Sequence, residues 1–235
     1  MSETHTALVT GASRGLGLAL ARSLAADGWQ LLIDGRDPDV LHAATYELGE
    51  HTDVRAHPGN VADPAHQQVL ADAAAEIGGL DLVVHNASEL GVSPLPALAN
   101  YPLDVLRDVF EVNVIAPVAL TQLLLPTLRP GARILAITSD AAVEAYPGWG
   151  GYGSSKAALE QAFAVIAVEQ PELRVYRVDP GDMNTQMHQD AEPGEDISGL
   201  PLPEASVPGL LALITGDLPS GRYAARAVAV GVGAR

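Results

Sequence analysis

The sequence contains no cysteine, and Lys156 is its only lysine. Without thiols, disulfide bonds, zinc–thiolate sites and a cysteine nucleophile are excluded. The sequence has no uninterrupted run of about 18 apolar residues, so we predict no membrane-spanning helix. The polar stretch Met1–Thr6 leaves no room for a signal peptide before strand-like sequence begins, and we therefore expect a cytoplasmic protein.

Positive charge is scarce as well. Thirteen basic residues stand against 29 acidic ones, which gives a formal net charge of −16. A field of this sign repels nucleic acid and anionic membranes, so we expect neither as a partner. A ligand that carries phosphate must therefore be held by local donors. The 235 residues, 48% of them hydrophobic, predict one domain with an ordinary core over residues 1–235.

Short apolar runs alternate with longer amphipathic segments, which predicts an α/β fold with a doubly wound parallel sheet of about seven strands and helices on both faces. Strands are predicted at Ala7–Thr10, Gln30–Asp34, Val54–His57, Leu80–His85, Arg133–Ser139, Arg174–Asp179 and Gly221–Val230. Helices are predicted at Gly15–Asp27, Pro38–Glu50, Pro64–Ile77, Leu103–Leu128 (bent or broken near Pro117), Tyr152–Glu169 and Glu204–Thr215, with a looser segment at Gly181–Pro203.

A glycine-rich turn, T-G-A-S-R-G-L-G at residues 10–17, joins the first strand to the first helix. Glycines allow the backbone to turn tightly and to approach a pyrophosphate, and the helix N-terminus supplies free N–H groups. The spacing differs from the Gly-x-Gly-x-x-Gly form. The turn is therefore interpreted as a dinucleotide site, with a simple strand-to-helix connection as the alternative.

The only lysine lies four residues after a tyrosine, Tyr152, on a predicted helix. Side chains at this spacing share one helix face. A free tyrosine has a pKa near 10, and a nearby ammonium lowers it. We therefore predict that Lys156 tunes the Tyr152 phenol for proton transfer; the alternative is an exposed helix pair without chemistry.

Together these motifs resemble those of the short-chain dehydrogenase/reductase family, in particular its compact bacterial members. The signature T-G-x-x-x-G-x-G matches residues 10–17, and Y-x-x-x-K matches Tyr152 and Lys156. The resemblance covers nearly the whole chain and implies a single-domain Rossmann fold. It also implies that Ser139, thirteen residues before Tyr152, polarises a substrate oxygen, with Thr138 as the alternative hydroxyl. Asn113 matches the asparagine whose backbone carbonyl holds a water connected to the lysine.

The resemblance places the carboxylate that selects NAD at Gly35, which has no side chain. Arg36 follows, and Arg14 is the other basic residue near this point. Two guanidinium groups can hold a 2′-phosphate, so we predict NADP(H) as the cofactor. Asp34 and Asp37, which flank the site, are the counter-argument.

Further motifs match less closely. Asn60-Val61 stands where the family usually has Asp-Val, and His85-Asn86-Ala87-Ser88 stands where it reads N-N-A-G. Pro180 to Thr185 resembles P-G-x-x-x-T. The predicted cofactor-binding residues are Gly11, Ser13, Arg14, Gly15, Leu16, Gly17, Arg36, Asn60, Val61, Asn86, Ala87, Tyr152, Lys156, Pro180, Gly181, Met183 and Thr185. No metal ligand is predicted.

The resemblance implies a reversible hydride transfer between NADPH and a small-molecule carbonyl compound, with Asn113, Ser139, Tyr152 and Lys156 as catalytic residues. Segments 141–151 and 186–203 are expected to wall the substrate pocket, and the loop 182–203 to order on binding. A homodimer or homotetramer is expected by the same resemblance. The alternatives are a nonenzymatic NADP sensor or scaffold, and an epimerase or dehydratase, which usually needs more than the 50 residues that follow Thr185.

Overall fold

A computed structural model describes residues 4–229 of the chain, and seven parallel strands form one sheet in it. Their order across the sheet is β3-β2-β1-β4-β5-β6-β7. The strands are β1 (Thr6–Val9), β2 (Gln30–Gly35), β3 (Val54–Pro58), β4 (Leu80–His85), β5 (Leu128–Ile137), β6 (Arg174–Asp179) and β7 (Gly221–Ala224). The predicted doubly wound sheet is confirmed. The last strand ends at Ala224, where a 3₁₀ turn follows, and is shorter than predicted; its predicted end, Val230, lies outside the described residues.

Eight α-helices connect or follow the strands within residues 4–229. They are α1 (Gly15–Ala26), α2 (Pro38–Leu48), α3 (Pro64–Glu76), α4 (Leu103–Phe110), α5 (Ala116–Leu124), α6 (Gly150–Glu169), α7 (Gln186–Ala191) and α8 (Val207–Thr215). Helices α2 and α3 begin with proline, which lacks only an N–H that the first turn leaves unpaired. Aspartates cap both helices from the preceding position.

The core lies in two layers, one on each face of the sheet. On one face α1 and α8 pack against side chains such as Val9 and Tyr176. On the other face α3, α5 and α6 pack against side chains such as Leu8 and Val175. Neighbouring residues of one strand thus point into opposite layers, as strand geometry requires. Burial on both faces explains why the central strands read as continuous apolar runs.

The chain reverses its winding direction between β1 and β4, the two neighbours at the centre of the sheet. Connections from these strands leave toward opposite sides. A crevice opens at this point beyond the carboxyl ends of the strands. The glycine-rich turn after β1 and the segment after β4 form its two walls.

The predicted long helix at Leu103–Leu128 is interrupted, but by a π-helical turn at Glu111–Ile115 rather than at Pro117 itself. Pro117 lies in the first turn of α5, where its missing N–H is tolerated. The helical stretch 103–127 is long and apolar enough to cross a membrane by these two criteria alone. In the structure α5 packs against α3, and the π-helical turn packs against α6.

Two predicted boundaries differ for local reasons. Strand β5 begins earlier than predicted, at Leu128. It ends at Ile137, and beyond it the Ser139 hydroxyl accepts a hydrogen bond from the Ala141 N–H at the start of a 3₁₀ turn. The segment predicted as loose at Gly181–Pro203 contains α7. Thr185 caps this helix by accepting a hydrogen bond from the His188 N–H.

Candidate active site

One cleft at the carboxyl ends of the strands collects most of the predicted cofactor-binding residues. The predicted residues that line it are Gly11, Ser13, Arg14, Gly15, Leu16, Arg36, Asn60, Val61, Asn86, Ala87, Tyr152, Lys156, Pro180, Met183 and Thr185. Two predicted residues do not line this cleft. Gly181 lines the adjoining pocket, and Gly17 lies beneath the turn.

The glycines of the turn are required by close packing. Gly11 has a φ of +64°, and a Cβ there would lie 2.9 Å from the Ala87 Cα. A Cβ on Gly17 would lie 2.5 Å from the Asn86 side-chain nitrogen, which donates hydrogen bonds to the carbonyls of Thr10 and Gly11. Asn86 therefore holds the turn from the opposite wall.

The N-terminus of α1 is left open toward the cleft. Its N-cap residue, Arg14, makes no side-chain capping bond, and the first turn contains no acidic residue. Helices α2 and α3, in contrast, are capped by Asp37 and Asp63. Uncapped N–H groups and the helix dipole together attract an anion. The turn thus fits the pyrophosphate of a dinucleotide.

The two aspartates that argued against NADP are occupied by other partners. The Asp34 carboxylate accepts a hydrogen bond from the Gly11 N–H at 2.6 Å and lies 3.2 Å from His66 Nε2. Asp37 caps α2 by accepting from two backbone N–H groups. Arg14 and Arg36 are exposed at the cleft, and Arg36 donates to the Glu89 carboxylate at 2.9 Å. Positive charge therefore reaches the tip of β2, where Asp34 is buried and Asp37 caps α2.

Tyr152 and Lys156 lie on α6 and line the cleft together, as their spacing predicts. The Lys156 amine lies 5.5 Å from the centre of the Tyr152 ring and donates to the Ile137 carbonyl at 2.8 Å. Burial lowers the pKa of Lys156 to about 7. Burial raises the pKa of Tyr152, although a hydrogen bond with Ser88 acts in the opposite direction. Lys156 is buried and Tyr152 is partly buried, so desolvation disfavours the charged form of both groups when the cleft holds no cofactor.

The Ser139 hydroxyl lies at the end of β5 and lines a second pocket with Tyr152. It donates to the Asp140 carboxylate at 2.9 Å. Thr138, the alternative hydroxyl, is buried and borders both pockets; its oxygen has no hydrogen-bond partner among residues 4–229. Both hydroxyls therefore lie near Tyr152, and geometry alone leaves the alternative open.

Asn113 lies in the π-helical turn and ties the β4 wall to the catalytic helix. Its Oδ1 accepts from the Glu89 N–H at 2.7 Å and from the Ser88 hydroxyl at 3.1 Å. Its Nδ2 donates to the Glu89 carbonyl and to the Ser155 hydroxyl, at 2.8 and 2.9 Å. The backbone carbonyl of Asn113 lacks its usual helical donor, because residue 117 is a proline. The sequence resemblance implies a water contact at this carbonyl.

His85 and Ser88 are the two departures from the N-N-A-G motif. His85 is buried, contacts the Thr121 hydroxyl at 2.8 Å and packs edge-on against Phe163. Burial lowers its pKa to about 3, so the ring is neutral. His85 does not line the cleft, whereas Ser88 does. The structure therefore connects Ser88, but not His85, to the site.

Aromatic and acidic side chains wall the second pocket, beside Tyr152. Trp149 packs edge-on against Tyr152 with ring centres 5.8 Å apart, and the His188 ring lies 6.5 Å from Trp149. Asp140 and Asp182 also line this pocket. Within residues 4–229, no group of histidines and carboxylates has the geometry to hold a metal ion. The pocket is therefore suited to an uncharged or cationic organic molecule beside Tyr152.

Sequence reasoning missed three contacts of this site. Asp140 follows Ser139 directly, so their hydrogen bond could have been proposed from adjacency. The contacts of Ser155 with Asn113 and of His66 with Asp34 join residues 42 and 32 positions apart. No local pattern signals such pairs.

Known proteins share this fold and these motifs. A family model described as short chain dehydrogenase matches residues 5–196. An uncharacterized oxidoreductase, YciK from Escherichia coli K12, is 35% identical over 219 residues, which cover 89% of this chain and 86% of that protein. The chain belongs to the short-chain dehydrogenase family.

Solved short-chain dehydrogenase structures agree with this assignment. The yciK oxidoreductase structure from E. coli matches with a TM-score of 0.88 and 32% identity, covering 94% of this chain and 95% of the other. An alcohol dehydrogenase from the archaeon Thermococcus sibiricus, complexed with 5-hydroxy-NADP, matches with a TM-score of 0.84 and 28% identity, covering 94% and 96%. Family membership identifies this chain as an NAD(P)-dependent dehydrogenase or reductase.

Proposed function

We propose that this oxidoreductase reduces a carbonyl group to an alcohol, reversibly, with NADPH as the hydride donor. The observation that carries the proposal is the position of Tyr152 and Lys156. Both side chains face the cleft whose opposite end is formed by the glycine-rich turn. A phenol at the junction of this cleft and the second pocket is placed to exchange a proton with a molecule in that pocket.

The choice of NADPH over NADH follows from charge at the tip of β2. Asp34 is buried with its carboxylate bound by Gly11 and His66, and Asp37 caps α2 through one carboxylate oxygen. Gly35 leaves space, and the Arg14 and Arg36 guanidinium groups supply positive charge for a 2′-phosphate. The related T. sibiricus enzyme, solved with an NADP analogue, supports this choice.

Four residues of the chain have roles in the proposed reaction. NADPH, which the glycine-rich turn and Arg36 would hold, would supply a hydride for the carbonyl carbon. Tyr152 donates its phenolic proton to the carbonyl oxygen, and Ser139 donates a hydrogen bond to the same oxygen as negative charge develops there. Lys156 stabilises the phenolate that remains, and Asn113 offers its carbonyl for a water that resupplies the proton. One hydride and one proton added to the C=O bond give the alcohol.

A second copy of this chain is the proposed partner. Apolar side chains remain exposed on α5 and α6, among them Leu123 and Val165, and Val168 is 81% exposed. Covering such side chains in a homodimer or homotetramer would remove apolar surface from water. Val168→Asp should lower the mass measured by light scattering; an unchanged mass would contradict this face as the interface.

The activity is tested by following NADPH absorbance at 340 nm with a panel of ketones and aldehydes. We expect oxidation of NADPH with at least one carbonyl compound and a much slower rate with NADH. Binding of NADPH without turnover on any substrate would support a nonenzymatic sensor instead. Preference for NADH would overturn the cofactor assignment while leaving the reaction class intact.

A further inference from the structure

A buried histidine–carboxylate contact lies directly beneath the glycine-rich turn, outside the residues assigned above. Asp34 is 1% exposed and His66 is 7% exposed. His66 Nε2 lies 3.2 Å from Asp34 Oδ2, and Asp34 Oδ1 accepts the Gly11 N–H at 2.6 Å. An N–H on Nε2 therefore gives the carboxylate two donors, one on each oxygen.

This pair connects three separate segments of the cleft wall. The carboxylate of Asp34 binds the glycine-rich turn, and the Asp34 backbone carbonyl accepts from the Ala12 N–H at 3.0 Å. The His66 ring packs against Gly59, where a Cβ would lie 2.2 Å from Nδ1. The Gly59 N–H in turn donates to the Gly35 carbonyl at 3.0 Å. The wall segments at 10–17, 34–36 and 59–61 thus meet at one histidine–carboxylate contact.

We propose that His66 is a positioning residue for the cofactor: through Asp34, it fixes the glycine-rich turn in the shape that binds the dinucleotide. A carboxylate buried against the turn is costly unless donors satisfy its oxygens, and a carboxylate without them would not hold the turn in one shape. His66 supplies the donor that Gly11 alone does not. The inference rests on the proposed cofactor binding, because the effect of His66 is measured as a change in affinity for the dinucleotide.

The contact lies beneath the turn that any nicotinamide dinucleotide would share, not at the 2′-phosphate. Loss of the His66 donor should therefore weaken NADP and NAD by the same factor. Loss of the Arg36 guanidinium should weaken NADP alone. An equal loss of affinity for NADP and NAD indicates a role in positioning the turn. A loss of affinity for NADP alone indicates recognition of the phosphate.

The test compares His66→Leu, which removes the donor, with His66→Gln, which retains an N–H group. Dissociation constants for NADP and NAD are measured by titration of intrinsic fluorescence, and kcat is measured at saturating NADPH. We expect His66→Leu to weaken both dinucleotides about tenfold, with kcat within twofold of the wild type. His66→Gln should restore part of the affinity.

Leu124→Ala is the matched control, because it removes core packing on α5, far along the chain from this turn. It should lower thermal stability without changing either dissociation constant. If His66→Leu does not fold, the dissociation constants for NADP and NAD are compared between Asp34→Asn and His66→Gln instead. Unchanged affinity in folded His66 and Asp34 variants would overturn the inference, as would a loss confined to NADP. Failure of the wild type to bind either dinucleotide would instead refute the proposed function.

Discussion

The two ends of the cleft are built differently. At the end formed by 10–17, 34–37, 59–61 and 86–87, here the cofactor half, carboxylates are bound by backbone N–H groups or a buried histidine. At the end formed by 138–140, 149–156 and 179–190, here the reaction half, side chains also contact one another: Ser139 donates to Asp140, and Trp149 packs against Tyr152. The cofactor half is therefore fixed by backbone geometry. The reaction half depends on which side chains the chain carries.

The sharpest separation of the two halves is expected from Tyr152→Phe. The variant removes the phenolic proton donor and little volume, so turnover should fall about a thousandfold. The dissociation constant for NADPH should change by less than threefold, because the cofactor half keeps its contacts. Steady-state rates and a fluorescence titration measure the two effects. Turnover close to that of the wild type would mean that another group is the acid.

Removal of Lys156 should change how stability depends on pH. Its pKa is lowered from 10.5 to about 7 in the folded chain, so between these values only the unfolded chain holds the proton. The free energy of unfolding should therefore rise with pH in this window, by up to about 1.4 kcal/mol per pH unit.

Lys156→Met should lack this slope. Urea denaturation without cofactor at pH 7, 8 and 9 compares the variant with the wild type. Parallel profiles for the two proteins would contradict a lowered lysine pKa in the folded state.

Ser139→Ala against Thr138→Val decides which hydroxyl serves the reaction half. Loss of one hydrogen bond to a developing oxyanion costs about a hundredfold in kcat. We expect this loss for Ser139→Ala and a change below fivefold for Thr138→Val, with KM for NADPH unchanged in both. The reverse ranking would assign the role to Thr138.

Within the cofactor half, Arg36→Leu should weaken NADPH about tenfold and leave NADH unchanged, because a charge-assisted hydrogen bond to a phosphate is lost. Arg55→Leu, on the exposed side of β3, is the control and should alter neither. Equal losses for both cofactors would contradict a phosphate-specific role of Arg36.

The smallest expected effect is a gain. Glu89 competes with a phosphate for the Arg36 guanidinium, so Glu89→Gln should strengthen NADPH binding twofold to threefold, a change of about 0.5 kcal/mol typical of an exposed ion pair. Glu47→Gln, which removes the partner of Arg22, is the control. Weaker NADPH binding by Glu89→Gln would show that Glu89 supports the site rather than competing in it.

The same contrast explains what the sequence could predict. Strand–helix alternation and the turn at 10–17 are local patterns; the structure confirms the sheet, and Gly11 and Arg14 line the cleft in it. The predicted effect of Lys156 on Tyr152 was incomplete, because burial depends on packing that no local pattern reports. The contacts of Asp34 with the Gly11 N–H and with His66 could not be predicted from the sequence either. In the sequence Asp34 is an acidic residue two positions before Arg36, and only the packing of α3 against β2 brings His66 to its carboxylate.

Asn113 uses its whole side-chain amide to join residues 88–89 to α6 through Ser155. Anyone who transplants residues 86–92 into a related enzyme to change its selectivity must therefore move three non-contiguous pieces together. A chimera that receives the loop without a matching asparagine and serine would inherit the residues but not their alignment.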